Sequence, residues 1–450
     1  MTNSNSPLRR TVQTPLSRRG FLALGAGVSL ATLAGCGSGQ GVGAQAQKGV
    51  GGYSGGEYDG PPITLSYWNG FTGGDGPSMD ALVKRFNQQS KKITVEQNTM
   101  EWADFDQRLP AATQAGKGPD VAAMHLSSVA TYAARRVIAP LDDLATALKL
   151  QESDFVSAVW QGGIYQGKRY GIPLDVHCLA IYWNKEHFDK AGITEPPTDA
   201  ASLDAACKKL QAAGFGTPAW MPNQWPAQLM FQSLVFQNGG DIIAQDGGKA
   251  LFDSDGGIKG LTWMIDQIQK GYSPKNVDID AQYLAFKNGK NSITWDGIWQ
   301  INDLKASGVP FDLRPVPTIG SRPAVWADSH EFVMGTKAAE DQNRANAVKT
   351  FIGWMSQQSS AWSGAGMIPA RNSARQEQAF TGSPQSVFAD YLDNLHFVAP
   401  VPGWTTVEPN TMDIAVSNAI LGKASPADAL HKAADNATEL MQENLKKYGG

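Results

Sequence analysis

An α/β protein with more than one lobe is what the sequence predicts, and three observations predict it. Strand-like and helix-like segments alternate from residue 63 onward, which argues for sheets flanked by helices with parallel strands. The chain has 450 residues, beyond the length of roughly 250 to 300 at which a single core stops growing. With 42% hydrophobic and 18% charged residues the composition is globular, neither collagen-like nor disordered.

The elements follow in order. Ile63 to Trp68 alternates β-rich and polar residues and reads as a strand; a Gly-rich loop and a helix from Met79 to Gln89 follow it. Ile93 to Gln97 is a second strand, Trp102 to Ala115 a helix, and Asp120 to Met124 a third strand after the turn at 116–119. Cys178 to Trp183 is strand-like, Leu203 to Ala213 helical, and a short apolar run ends at Thr294. Further helices are predicted at Gly257 to Lys270, Glu340 to Gln357 and Pro426 to Lys447. No internal repeat is visible.

The first 35 residues form a separate object. They hold Arg9, Arg10, Arg18 and Arg19 and no acidic residue, so removing them takes the formal charge from −4 to −8. Ser17-Arg18-Arg19-Gly20-Phe21-Leu22 resembles a twin-arginine export signal. The uncharged run from Phe21 to Gly35 is shorter than the roughly 20 residues a membrane-spanning helix needs. Leu33-Ala34-Gly35-Cys36 resembles the lipobox of bacterial lipoproteins, which implies lipidation at Cys36 and a new N-terminus there. Residues 36–60 are Gly-rich and nearly without large apolar side chains, the composition of a flexible tether. Cys178 and Cys207 remain; spacing leaves open a disulfide or two buried thiols.

Dispersed basic residues on an acidic body leave no footprint for nucleic acid. Enzyme motifs are missing: no Gly-x-Ser-x-Gly elbow joins a predicted strand to a predicted helix, the match at Gly52 to Gly56 lying in the Gly-rich tether, and there is no phosphate-binding loop. The six histidines show no metal-ligand spacing, so neither cofactor nor metal is expected.

Ordered motifs carry a family resemblance over most of the body. Gly116-Lys117-Gly118-Pro119-Asp120-Val121, Gly167-Lys168-Arg169-Tyr170-Gly171-Ile172-Pro173, Ile181-Tyr182-Trp183-Asn184-Lys185 with Phe188 to Ile193, Pro196-Pro197-Thr198, and Phe286 to Lys290 leading to Trp295-Asp296-Gly297 stand in sequence. Together they resemble the extracellular solute-binding proteins that deliver sugars to ATP-driven importers, the group of maltose- and trehalose-binding lipoproteins. Trp183, inserted between Tyr182 and Asn184, departs from the pattern.

The resemblance implies a two-lobe periplasmic-binding-protein fold, each lobe a sheet flanked by helices, joined by three hinge crossings and closing on the ligand. Crossings are expected near Pro173 to Asp175, near Thr294 and near Trp326 to His330. That divides the body into a first lobe of 61–174 plus 296–326 and a second of 175–295 plus 327–450. It also implies an exported, lipid-anchored monomer at the outer face of the cytoplasmic membrane. The expected function is capture of a disaccharide or oligosaccharide, without catalysis, and delivery to the membrane permease subunits of an ABC transporter. A surface carbohydrate hydrolase, or a binder of glycerol phosphodiesters or peptides, is the alternative.

A sugar site needs aromatic faces for C–H patches and polar groups for hydroxyls. The chain has 13 Trp, many beside polar residues in Gly- or Pro-containing stretches. The expected ligand contacts are Trp68, Asn69, Phe71, His125, Asp175, His177, Trp220, Trp225, Trp295, Asp296, Trp299, Trp326, Asp328, Arg371 and Trp404. Trp295 and Trp404 lead the aromatic set, and Asp296 and Asp175 lead the hydroxyl acceptors. Core packing is the competing reading for the tryptophans and takes precedence at Trp263 and Trp354, which sit inside amphipathic helices. Arg371 either bonds the ligand or pins its loop.

Overall fold

A computed structural model describes residues 55–448. The export leader, Cys36 and the tether as far as residue 54 lie outside the described residues. Among the described residues no helix is long and apolar enough to cross a membrane.

The first sheet grows from β1 (Ile63–Asn69), β2 (Ile93–Thr99) and β3 (Val121–His125), all parallel, with β1 in the middle. The helix α1 (Gly76–Gln89) joins β1 to β2 and buries Met79, Leu82, Val83 and Phe86, the i, i+3, i+4, i+7 stripe that the periodicity predicts. Helix α1 begins at Gly76, three residues earlier than its apolar pattern, because Pro77 occupies its first turn with φ already helical. Helix α2 (Trp102–Gln114) joins β2 to β3, and α3 (Leu126–Ala134) follows directly. The strand His330–Gly335 returns from far along the chain and pairs antiparallel to β3, so this sheet is mixed.

The second sheet is organised around the strand Asp175–Asn184, which is buried along nearly its whole length because neighbours flank both edges and side chains cover both faces. Ile293–Gly297, Phe311–Pro315, Val325–Asp328 and Ile368–Pro369 all run antiparallel to it. The parallel arrangement expected from the alternating pattern therefore holds for β1 to β3 and, in the second sheet, for Val325–Asp328 with Leu395–His396, while the central strand pairs antiparallel throughout. Helix Ala200–Ala212 starts at a capping box between Asp199 and Ser202, and helix Asp255–Gln269 starts at Ser254.

Strand pairing also relocates a boundary. Phe311–Pro315 and Val325–Asp328 lie on the second sheet, where the sequence assigns 296–326 to the first lobe, and His330–Gly335 lies on the first sheet. Thr294 sits inside the second sheet, opposite Tyr182, and is not a crossing. The chain passes between sheets at 173–175, at 328–330, and between the helix Gln342–Ser356, which packs on the first sheet, and the strand Ile368–Pro369. Motif spacing along the chain carries no information about which edge a returning strand joins. Cys178 and Cys207 are both free and buried.

Candidate functional site

All three passages meet at one group of side chains. Asp175 and His177 project from the same face of their strand, two residues apart. His125 closes β3, and His330 opens the strand directly paired with it, the two residues standing opposite in register. Ring centroids lie 4.3 Å apart for His177 and His330, 5.1 Å for His125 and His330, and 5.7 Å for His125 and His177. His177 and His330 are buried; His125 is partly exposed.

Asp175 stands behind the histidines. Its carboxylate accepts from the His330 backbone N–H at 3.0 Å, contacts His330 Nδ1 at 2.8 Å and His177 Nδ1 at 3.3 Å, and accepts the Trp362 indole N–H at 2.6 Å. Burial by itself would raise this carboxyl, but His330 and His177 together hold it well below the usual carboxylate range. Burial, then the neighbouring His330 and His177, push the His125 imidazole far below its ordinary value, so it is neutral at pH 7.

Aromatic rings from both lobes wall this group. Trp102, at the start of α2, lies 4.2 Å from His125 and 5.4 Å from His330, nearly parallel to the latter. Phe71 stands edge-on to His330 at 4.7 Å and touches Trp102 and Trp362. From the second lobe Trp299 and Trp326 approach His177 at 5.7 and 5.8 Å, and Trp225, 38% exposed, lies 6.2 Å from Trp299. The lobes touch at the rim: a Cβ on Gly74 would come 2.9 Å from the Trp299 carbonyl oxygen, and Asn302 donates to the Gly74 carbonyl at 3.3 Å. Only glycine permits that approach at 74.

Polar groups border the same space. Asp75 is 5% exposed, its Oδ1 has no hydrogen-bond partner, and both that atom and the Trp299 ring adjoin Gly73. Burial pushes the Asp75 carboxyl up to about 7. Across the second passage, Asp328 accepts from Ser127 Oγ at 2.7 Å. An open cavity of about 660 Å³ between α1 and β2, lined by Asp80, Lys84 and Gln97 among others, shares no residue with this group.

Of the expected contacts, Phe71, His125, His177, Trp225, Trp299 and Trp326 gather here. Others do not. Trp295 is 4% exposed and packs on Trp263 inside the second lobe, and Trp404, 1% exposed, packs near Phe252. Both are buried: Trp295 lies against the helix Asp255–Gln269, and Trp404 lies in a segment whose Gly403 N–H donates to Thr131 of α3. Asp296 is fully buried and accepts from Gln282 and from the Gly297 N–H; burial pushes its carboxyl up to about 7. Trp68 packs with Met100, Phe105 and Leu109, and the Trp220 indole N–H is held by Thr217. Buried Asn69 uses its Oδ1 on the Phe71 N–H and the Thr99 hydroxyl. Asp175 and Asp328 direct their acceptor oxygens to protein donors. Arg371 pairs with Asp154 at 3.5 Å, bonds Ser356, and so pins its loop.

Sequence reasoning missed Asp75, Trp102, His330 and Trp362. His330 adjoined an expected passage, and that was its only signal. Trp102 opens a predicted helix, and nothing local distinguishes such an indole from a core residue.

The chain matches the family model described as bacterial extracellular solute-binding protein over residues 81–389. An uncharacterized ABC transporter extracellular-binding protein of Pyrococcus horikoshii is 25% identical over 392 residues, 83% of this chain and 86% of that one. The GacH receptor of Streptomyces glaucescens, solved unliganded and with acarbose, superposes with a TM-score of 0.74 at 21% identity, covering 86% of this chain and all of the other. An ABC substrate-binding protein of Listeria monocytogenes in complex with cycloalternan gives 0.75 at 21% identity, over 85% and 99% of the two chains.

Proposed function

This chain belongs to the bacterial extracellular solute-binding proteins, and from that premise we propose that it captures a disaccharide or oligosaccharide between its lobes and hands it to an ABC permease. The observation that carries the reading is the pair of aromatic walls about the histidines: Trp102 from one lobe stands against His125, Trp299 and Trp326 from the other stand against His177, and Trp225 adjoins Trp299. Indole faces suit the C–H surfaces of a pyranose, and the unpartnered Oδ1 of Asp75 suits its hydroxyls. The acarbose and cycloalternan bound by structural relatives support the same solute class. The first lobe would comprise 61–173 with 330–356, and the second 175–328 with 368–448.

Gly74 lies against Trp299 with the lobes in contact. A solute bridging the walls would favour that closed population, which is the form a permease reads. The protein acts as a binder and leaves its sugar intact. Cys36 anchors it through lipid, the tether lets it reach the permease, and it works as a monomer.

Calorimetric titration with maltose, trehalose, cellobiose, xylo-oligosaccharides and a glycerol phosphodiester tests the reading. Saturable binding of at least one carbohydrate without turnover is expected; binding of none, or hydrolysis of one, rejects it. Cys36→Ala should release the protein from the membrane fraction, and retention there would reject the anchor.

A further inference from the structure

The three histidines have a relation that sugar binding does not require. Each can offer one ring nitrogen, and the three nitrogens lie within 4.8 Å of one another. In two of them the free nitrogen is identified by its partner, because Nδ1 of His330 and Nδ1 of His177 both face the Asp175 carboxylate. An Nδ1–H donated to that carboxylate leaves Nε2 as a bare lone pair. Among the described residues nothing hydrogen-bonds the His125 ring, which adjoins the rings of Trp102, His177 and His330. Three ring nitrogens this close to one another can share one cation.

We propose that His125, His177 and His330 form a three-nitrogen site for a divalent cation of the zinc class, with Asp175 as the positioning carboxylate behind two of the ligands. Three imidazoles are a donor set that suits zinc, cobalt, nickel or copper and disfavours calcium and magnesium. A carboxylate that orients the ligating rings is the usual companion of such a set. Zinc–nitrogen bonds of about 2.0–2.1 Å need nitrogens roughly 3.3 Å apart in a tetrahedron, so the rings would draw together by small side-chain rotations on loading. Three protein ligands leave a fourth position for water or for an oxygen of a captured solute. Trp102, stacked on His330 and tilted against His125, places an intrinsic fluorophore beside the ion.

The full chain, stripped with a chelator, is titrated with zinc chloride by calorimetry and with cobalt chloride by visible absorption. One equivalent per chain is expected, with the strong visible bands of four-coordinate cobalt and quenching of tryptophan emission. His125→Gln, at the partly exposed ligand where the fold tolerates change, should weaken zinc binding by about 100-fold or more; Asp175→Asn should weaken it about 10- to 100-fold. No uptake by the unaltered chain, or equal uptake by the folded His125→Gln variant, overturns the proposal. A metal-free chain that binds sugars yet takes up no zinc overturns this site and leaves the carbohydrate reading standing.

Discussion

The indole N–H of Trp362 donates to the carboxylate of Asp175 at 2.6 Å, and both side chains are fully buried. Asp175 stands on the first passage between lobes, His330 on the second and Trp362 on the third. One carboxylate therefore binds all three segments about which the lobes would hinge. A buried charge is tolerated only when its acceptor positions are filled, and here two imidazoles, an indole and a backbone N–H fill them.

Asp175→Ala should accordingly cost about 3 to 5 kcal/mol of unfolding free energy, the range for breaking a buried paired charge. Urea denaturation would measure it. The pH dependence has a defined sign: the Asp175 carboxyl is held below its unfolded value, so its contribution is present above about pH 4 and is withdrawn as acid approaches the lowered value. Asp175→Asn should flatten that acid limb.

Asp296 behaves oppositely. Burial raises its carboxyl to about 7, so folding favours its protonated form, and stability falls as pH rises from about 4 to about 7 before levelling. Asp296→Asn should remove this share of the decline, gaining on the order of 4 kcal/mol at pH 8 relative to pH 4. Denaturation midpoints at both pH values would show whether the slope changes.

Trp299 and Trp295 separate binding from stability. Trp299→Ala removes one wall of the cleft and should weaken carbohydrate affinity by about 2 kcal/mol with little effect on folding. Trp295, packed on Trp263, should lose about 3 to 5 kcal/mol of stability as Ala. In a buffer where that variant is folded, its affinity should match the parent protein.

Arg371→Ala should leave solute affinity unchanged and lower stability by about 1 kcal/mol, since its Asp154 partner is partly exposed. Affinity reduced tenfold would return Arg371 to the site.

Much of the fold was legible before any coordinates. Helix α1 and the helices at 200–212, 255–269 and 342–356 carry their signals in windows of a dozen residues, and β1 to β3 carry theirs in alternation. Ordered motifs settled the family by the same local means. The site was legible only in part. Trp295 and Trp299 stand four residues apart in one aromatic stretch, yet one enters the core of the second lobe and the other faces His177. His125 and His330 have no spacing that relates them until the strand His330–Gly335 returns antiparallel to β3 and sets them opposite. Local periodicity determined which segments are helix or strand and which residues are apolar enough to be buried. Strand pairing between distant segments decided which rings meet, because register is a property of two strands and of the face they bury, and neither strand encodes it alone.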